Sequence, residues 1–154
     1  MKAFYQSPVG VLEIKEDKGY ITSVAIVPEL PVNNDKVDNP LLKNAVSQLE
    51  EYFLGRRISF DLPLKQSGTD FQNQAWEYLS SIPYGETVSY KDEAIAIGSP
   101  KSCRAVGSAN GKNNIMIIVP CHRVINAGGK LGGYAYGLEV KQFLLNIEKQ
   151  YKNA

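Results

Sequence analysis

Apolar residues in the first third of the chain fall in short alternating runs. Phe4, Val9, Val11, Leu12 and Ile14 precede Ile21, Val24 and Ile26, with breaks at Pro8-Val9-Gly10 and Asp17-Lys18-Gly19. A period of two interrupted by turn-forming residues predicts a small antiparallel meander. Asn39-Pro40 then offers a capping side chain followed by proline at the first helical position. Leu42, Ala45, Val46, Leu49 and Phe53 repeat at helical spacing until Gly55. Arg57 to Leu62 fits a further strand.

A polar stretch around Gly68 divides the chain into a sheet-bearing domain with one helix, 1–67, and a mainly helical domain, 68–154. Phe71, Ala75, Trp76, Leu79 and Ile82 share a helix face that Pro83-Tyr84-Gly85 closes. Ser89 and Asp92 have the spacing of a capping box, and Gly98 ends the short helix they open. Ser99-Pro100 begins the next helix, which runs to Gly111. Two short helices across a tight glycine turn make a helix-turn-helix pattern, and the second is basic. The apolar run Ile115–Val119 is too short for a helix and reads as a strand buried on both faces, ended by Pro120. A loop with Gly128, Gly129, Gly132, Gly133 and Gly137 follows. The last helix starts near Leu138 and places Val140, Phe143, Leu144, Ile147 and Tyr151 on its buried stripe. The expected fold class is α/β in its α+β form.

Composition narrows this picture. The chain has 154 residues, 44% of them apolar, as in a soluble globular protein of one ordinary domain or two small ones. No apolar run approaches the roughly 20 residues of a membrane span, and Met1–Tyr5 carries no signal-like apolar core. The expectation is a cytoplasmic protein with no membrane partner. Two cysteines and one histidine argue against a disulfide framework or a zinc site. Net charge is only +1, yet Ala94–Leu138 contains no acid and carries Lys101, Arg104, Lys112, Arg123 and Lys130. That segment has the footprint of a polyanion partner, or of a surface whose acids lie on neighbouring elements.

The chemistry concentrates after the buried run. A thiol attacks as thiolate, so a reactive cysteine needs a base or positive charge nearby. Cys121 is followed by His122, the only imidazole, and by Arg123. Neighbours on extended chain point to opposite sides, so contact between His122 and the sulfur needs a water or a turn. The alternative is an inert buried cysteine beside a core histidine. Glu148, at the edge of the last helix's stripe, is placed to orient His122; equally it pairs with Lys152 one turn on. Arg104-Ala105-Val106-Gly107-Ser108-Ala109-Asn110-Gly111 combines a basic start with small side chains. Such a helix approaches another backbone closely, either a nucleic acid or a packed neighbour. Arg104 either contacts DNA or is an ordinary surface arginine.

Pro120-Cys121-His122-Arg123-Val124-Ile125 resembles the active-site signature of the O6-alkylguanine-DNA alkyltransferases. Ile82–Tyr90, Arg104–Gly107, Gly132-Gly133-Tyr134 and Gly137-Leu138 resemble that family's other motifs, in order and spacing, across Phe71–Glu148. The resemblance implies stoichiometric repair: an alkyl group passes from O6 of guanine, and from O4-alkylthymine, to Cys121. His122, acting through water, would be the base, with Glu148 behind it. Tyr90 would rotate the phosphate, contact guanine N3 and donate the proton. Arg104 would fill the gap in the base stack while Ala105 and Gly107 enter the minor groove. Asn113 would brace the turn before the active site, and Val124 and Ala135 would meet the base through their backbones. Tyr134, Tyr136 and Arg123 complete the implied DNA-facing set. The implied partner is double-stranded DNA containing O6-alkylguanine, met by a monomer, with no metal and no cofactor.

Departures from the family pattern are Tyr136 in place of glycine, Asn114 where proline is common, Cys103 at the start of the basic helix, and missing N-terminal zinc ligands. Tyr136 is expected to narrow the pocket entrance. The competing readings are a non-catalytic lesion sensor, a helix-turn-helix regulator and a cysteine hydrolase. Cys121 weighs against the sensor, and the shortage of long polar side chains on the basic helix weighs against the regulator.

Overall fold

The computed structural model describes residues 1–32 and 38–152. Two compact units emerge: Met1–Gln66 with Asn114–Met116, and Ser67–Asn113 with Ile117–Ala154.

In the first unit, β1 (Lys2–Ser7), β2 (Gly10–Asp17) and β3 (Tyr20–Val27) form the antiparallel meander in sequence order. Lys18 and Gly19 both have positive φ, 51° and 85°, the geometry of a tight hairpin whose twist matches the strands. Helix α1 (Pro40–Phe53) lies against all three strands. Asn39 caps it by accepting from the Leu42 amide at 3.1 Å. Leu12, Ile14, Ile21, Val24, Ala45 and Leu49 are fully buried between sheet and helix.

Arg57–Leu62 is not a strand. Its alternation is real, but the buried Gln48 side chain takes the Asp61 backbone, accepting from its amide at 2.9 Å and donating to its carbonyl at 3.1 Å. With those groups satisfied by α1, only Leu64 bridges to the sheet, opposite Ile21.

The second unit holds α2 (Asp70–Leu79), β4 (Val88–Ser89), α3 (Tyr90–Ala96), α4 (Cys103–Gly111), β5 (Val124–Ile125) and α5 (Leu138–Tyr151). Trp76 on α2 donates its indole N–H to the Ala109 carbonyl at 2.9 Å, tying α2 to α4. The Ser89–Asp92 capping box opens α3 as read from the sequence. Helix α4 starts later than expected, because Ser99–Ser102 closes a turn of its own, with the Ser102 amide donating to the Ser99 carbonyl at 2.9 Å.

Ile115–Val119 is buried throughout, but it is not a strand. The run serves two cores in succession: Ile115 and Met116 belong to the first unit, Ile117–Val119 to the second. Ile115 bridges Val24, and then Ile117 turns the chain at φ 70°, a costly conformation for a β-branched residue. Continuous hydrophobicity correctly marks burial; it does not specify the backbone path.

The buried stripe of α5 is also rotated from the expected one. Lys141, Leu144, Ile147 and Glu148 are buried, while Phe143 is exposed.

Candidate active site

Cys121–Arg123 form one turn of 3-10 helix between Pro120 and β5. The Arg123 amide donates to the Pro120 carbonyl at 3.0 Å, and β5 then pairs in parallel with β4. A turn, rather than extended chain, separates the side chains. Cys121 is half-buried at a cavity, whereas His122 and Arg123 are buried against α5.

Glu148 gathers that buried side. His122 Nε2 lies 2.6 Å from Glu148 Oε2, and Arg123 Nε donates to Oε1 at 2.8 Å. Arg123 Nη2 donates to Oε2 at 3.2 Å, and the Gly85 amide donates to Oε1 at 3.2 Å. Burial alone would raise the Glu148 carboxyl; His122 and Arg123 outweigh it and hold it well below the usual carboxylate range. An ionised Glu148 only accepts, so the proton on His122 sits on Nε2. Nδ1 is then the basic nitrogen, and it is buried without a hydrogen-bond partner among the described residues. Burial lowers the His122 pKa, opposed by Glu148, so the imidazole rests neutral.

Arg123 was expected to face DNA. It is 7% exposed, donates to the Ile82 carbonyl at 2.6 Å, and neutralises Glu148. It belongs to the support of the site, not to a DNA-facing surface. Lys101, Arg104, Lys112 and Lys130 do remain exposed.

The thiol has its own surroundings. Asn113 Nδ2 donates to the Val119 carbonyl at 2.8 Å and to Cys121 Sγ at 3.4 Å, so it braces the turn and touches the sulfur. Burial raises the Cys121 pKa, while Asn113, Lys141 and Tyr134 favour the thiolate. The resting group is a thiol, to be ionised in the reaction.

The cavity in front of Cys121 has a volume of about 510 Å³, and Tyr90, Arg104, Gly107, Asn113, Tyr134, Ala135 and Tyr136 all contribute to its wall. Tyr90, first residue of α3, donates to the Gly133 carbonyl at 3.4 Å. Burial, then Cys121 and Glu93, raises its pKa, with the bond to Gly133 opposing, so its hydroxyl is protonated at rest. Its ring packs where Gly132 lacks a side chain: a Cβ there would stand 2.9 Å from the ring. Arg104 and Ala105 are exposed on α4. Tyr136 stacks edge-on to Tyr134, centroids 5.8 Å apart.

The buried face of α5 supplies a residue that sequence reasoning missed. Lys141 is wholly buried and donates to the carbonyls of Val124, at 2.7 Å, Gly133, at 3.1 Å, and Leu131. It ties the glycine loop to the strand after the active-site turn. Burial pulls its pKa down to about 8, with Cys121 opposing. The available signal was spacing: Lys141 and Glu148 stand seven residues apart, two turns along one helix face, flanking Leu144. Among the described residues no cluster of His, Cys, Asp and Glu could hold a metal, and no helix is long and apolar enough to cross a membrane.

Comparison with known proteins gives two family matches. Residues 70–150 match the model of the 6-O-methylguanine DNA methyltransferase DNA binding domain, and residues 1–66 that of the 6-O-methylguanine DNA methyltransferase ribonuclease-like domain. A methylated-DNA–protein-cysteine methyltransferase of Methanosarcina barkeri is 46% identical over 148 residues, 94% of each chain. The constitutive methyltransferase of that name from Bacillus subtilis is 47% identical over 152 residues, covering 94% of this chain and 92% of its own. Among solved structures, Mycobacterium tuberculosis OGT in complex with DNA superposes with a TM-score of 0.88 at 43% identity, covering 97% of this chain and 93% of that one.

Proposed function

This chain belongs to the 6-O-methylguanine DNA methyltransferase family, and from that premise we propose that Cys121 is the acceptor in its repair reaction. The activity is that of a methylated-DNA–protein-cysteine methyltransferase: it binds DNA and repairs it by alkyl transfer. The substrate is duplex DNA carrying O6-alkylguanine, and also O4-alkylthymine, met by a monomer in the cytoplasm.

Guanine O6 is inaccessible in the stacked duplex, so the nucleotide must swing out. Helix α4 approaches the minor groove, where Ala105 and Gly107 leave room and Arg104 takes the vacated place in the stack. The extruded base enters the cavity between Tyr90 and Cys121. His122 Nδ1 takes the thiol proton through a water, and Glu148 stabilises the imidazolium. The thiolate attacks the alkyl carbon; an S–C bond forms as the O6–C bond breaks. Tyr90 donates its proton to the departing base. Val124 and Ala135 hold the base edge through their backbones, and Tyr134 and Tyr136 cover it. The thioether product is inert, so each molecule acts once, and the step balances without a cofactor.

One observation carries this reading. Cys121 opens on a cavity walled by Tyr90, and the next residue of the same turn is a neutral histidine oriented by an ionised glutamate. The test is intact mass and peptide mapping after incubation with an O6-methylguanine duplex. One methyl adduct on Cys121 with restored guanine is expected. Binding without an adduct, or full-speed removal by Cys121→Ser, overturns it.

A further inference from the structure

Two buried polar side chains play no part in that scheme. Glu93 on α3 is wholly buried, and Asn110 on α4 is 7% exposed. Asn110 Nδ2 donates to Glu93 Oε1 at 2.8 Å. The other polar atom of each group, Glu93 Oε2 and Asn110 Oδ1, is buried with no hydrogen-bond partner among the described residues. If Glu93 were ionised, both would be acceptors without a donor in a low-dielectric interior. One proton on Oε2 satisfies both, because the acid then donates to Oδ1 while the amide donates to Oε1. Burial acts in the same direction, pushing the Glu93 carboxyl up to about 7, with only the Asn110 bond opposing.

Asn110 forms part of the cavity wall, and Glu93 follows Tyr90 by one helical turn. We propose that Glu93 is a positioning residue for alkyl transfer: as a carboxylic acid paired with the whole Asn110 amide, it fixes the cavity-forming face of α4 against the helix that carries Tyr90. This rests on the reading in which that cavity receives the base. The titratable groups that feel Glu93 are Tyr78 on α2 and Tyr90 on its own helix; an ionised Glu93 raises the pKa of each. The Asp92 carboxylate, next to it, accepts from the Ser89 amide at 2.9 Å, and the Asp92 amide donates to the Ser89 hydroxyl at 3.0 Å. Strands β4 and β5 bring no charged side chain, and α4 presents the Asn110 amide. Ionisation therefore has two effects of one sign: a bond across α3 and α4 is lost, and Tyr90 becomes a weaker proton donor.

The test compares full-length parent, Glu93→Gln and Glu93→Leu in single-turnover transfer from an O6-methylguanine duplex, from about pH 5.5 to about pH 8.5. Glutamine keeps both bonds and cannot ionise. Its rate should match the parent's acid-side rate, and its profile should lack the fall of about fivefold that the parent undergoes as Glu93 ionises. The difference between the two profiles separates Glu93 from Cys121, His122 and Lys141. Leucine, which fills the space without either bond, should be slower by about fivefold at every pH. Carbon-13 NMR of labelled glutamate in the DNA-free protein should report Glu93 protonated at about pH 6. An unchanged inflection in Glu93→Gln, or an ionised Glu93 carboxyl at that pH, overturns the proposal. Failure of the parent to alkylate Cys121 would overturn the functional reading instead, since the NMR titration needs no DNA.

Discussion

Replacing Glu148 by glutamine tests the site with the least change in shape. The carboxylate accepts from His122, twice from Arg123 and from the Gly85 amide. An amide has one acceptor oxygen and must turn an N–H toward those donors. Arg123, 7% exposed, would keep its charge without a counter-charge. Breaking a buried ion pair by removing one partner costs about 3–5 kcal/mol. For a chain of this size that lowers Tm by roughly 10 °C. The catalytic effect has a separate cause. Facing an amide N–H, His122 is driven to protonate Nδ1 and accept through Nε2, so Nδ1 can no longer take the thiol proton. Loss of a general base costs on the order of a hundredfold or more. Quenched-flow methyl transfer measures the rate, and calorimetry the stability. Acid adds a check of sign. The Glu148 pKa is lower in the folded protein than its ordinary value of 4.5. Its stabilisation is therefore present above about pH 4.5 and lost as pH falls below it. Glu148→Gln should lack that acid-linked loss. A variant that transfers methyl within about threefold of the parent rate would refute the tautomer argument, since a positioned base contributes far more than that.

Lys141→Met should free three carbonyls that the ammonium now holds, destabilising the protein by about 2–4 kcal/mol and slowing transfer; chemical denaturation and single-turnover rates check this. Gly132→Ala places a Cβ at positive φ and 2.9 Å from the Tyr90 ring, and should cost about 1–2 kcal/mol while lowering the transfer rate more than DNA affinity. Tyr136→Gly should open the cavity and raise the rate on O6-benzylguanine relative to O6-methylguanine by about tenfold; an unchanged ratio in competition assays would rule out Tyr136 as the gate.

What the sequence conceals about this protein has a common physical origin. The meander, α1 and the capped start of α3 follow local rules, in which alternation, a cap and a glycine each act on their immediate neighbours. Cys121 and His122 were legible for a similar reason, as rare residue types placed side by side. The failures occur where a segment answers to two partners. Ile115–Val119 is apolar throughout because it fills two cores, and that pattern mimics a central strand. Arg57–Leu62 alternates like a strand, but a helix side chain takes its backbone bonds. On α5, hydrophobicity points the stripe at Phe143, yet the face actually buried carries Lys141 and Glu148. Both charged residues are tolerated inside because Arg123, His122 and a set of backbone carbonyls receive them. A hydrophobic pattern scores such residues as surface and turns the helix the wrong way. The rotation of α5 away from its most apolar face is thus itself a sign of function. The helix gives up burial of Phe143 to bring a carboxylate and an ammonium to the two sides of the active-site turn.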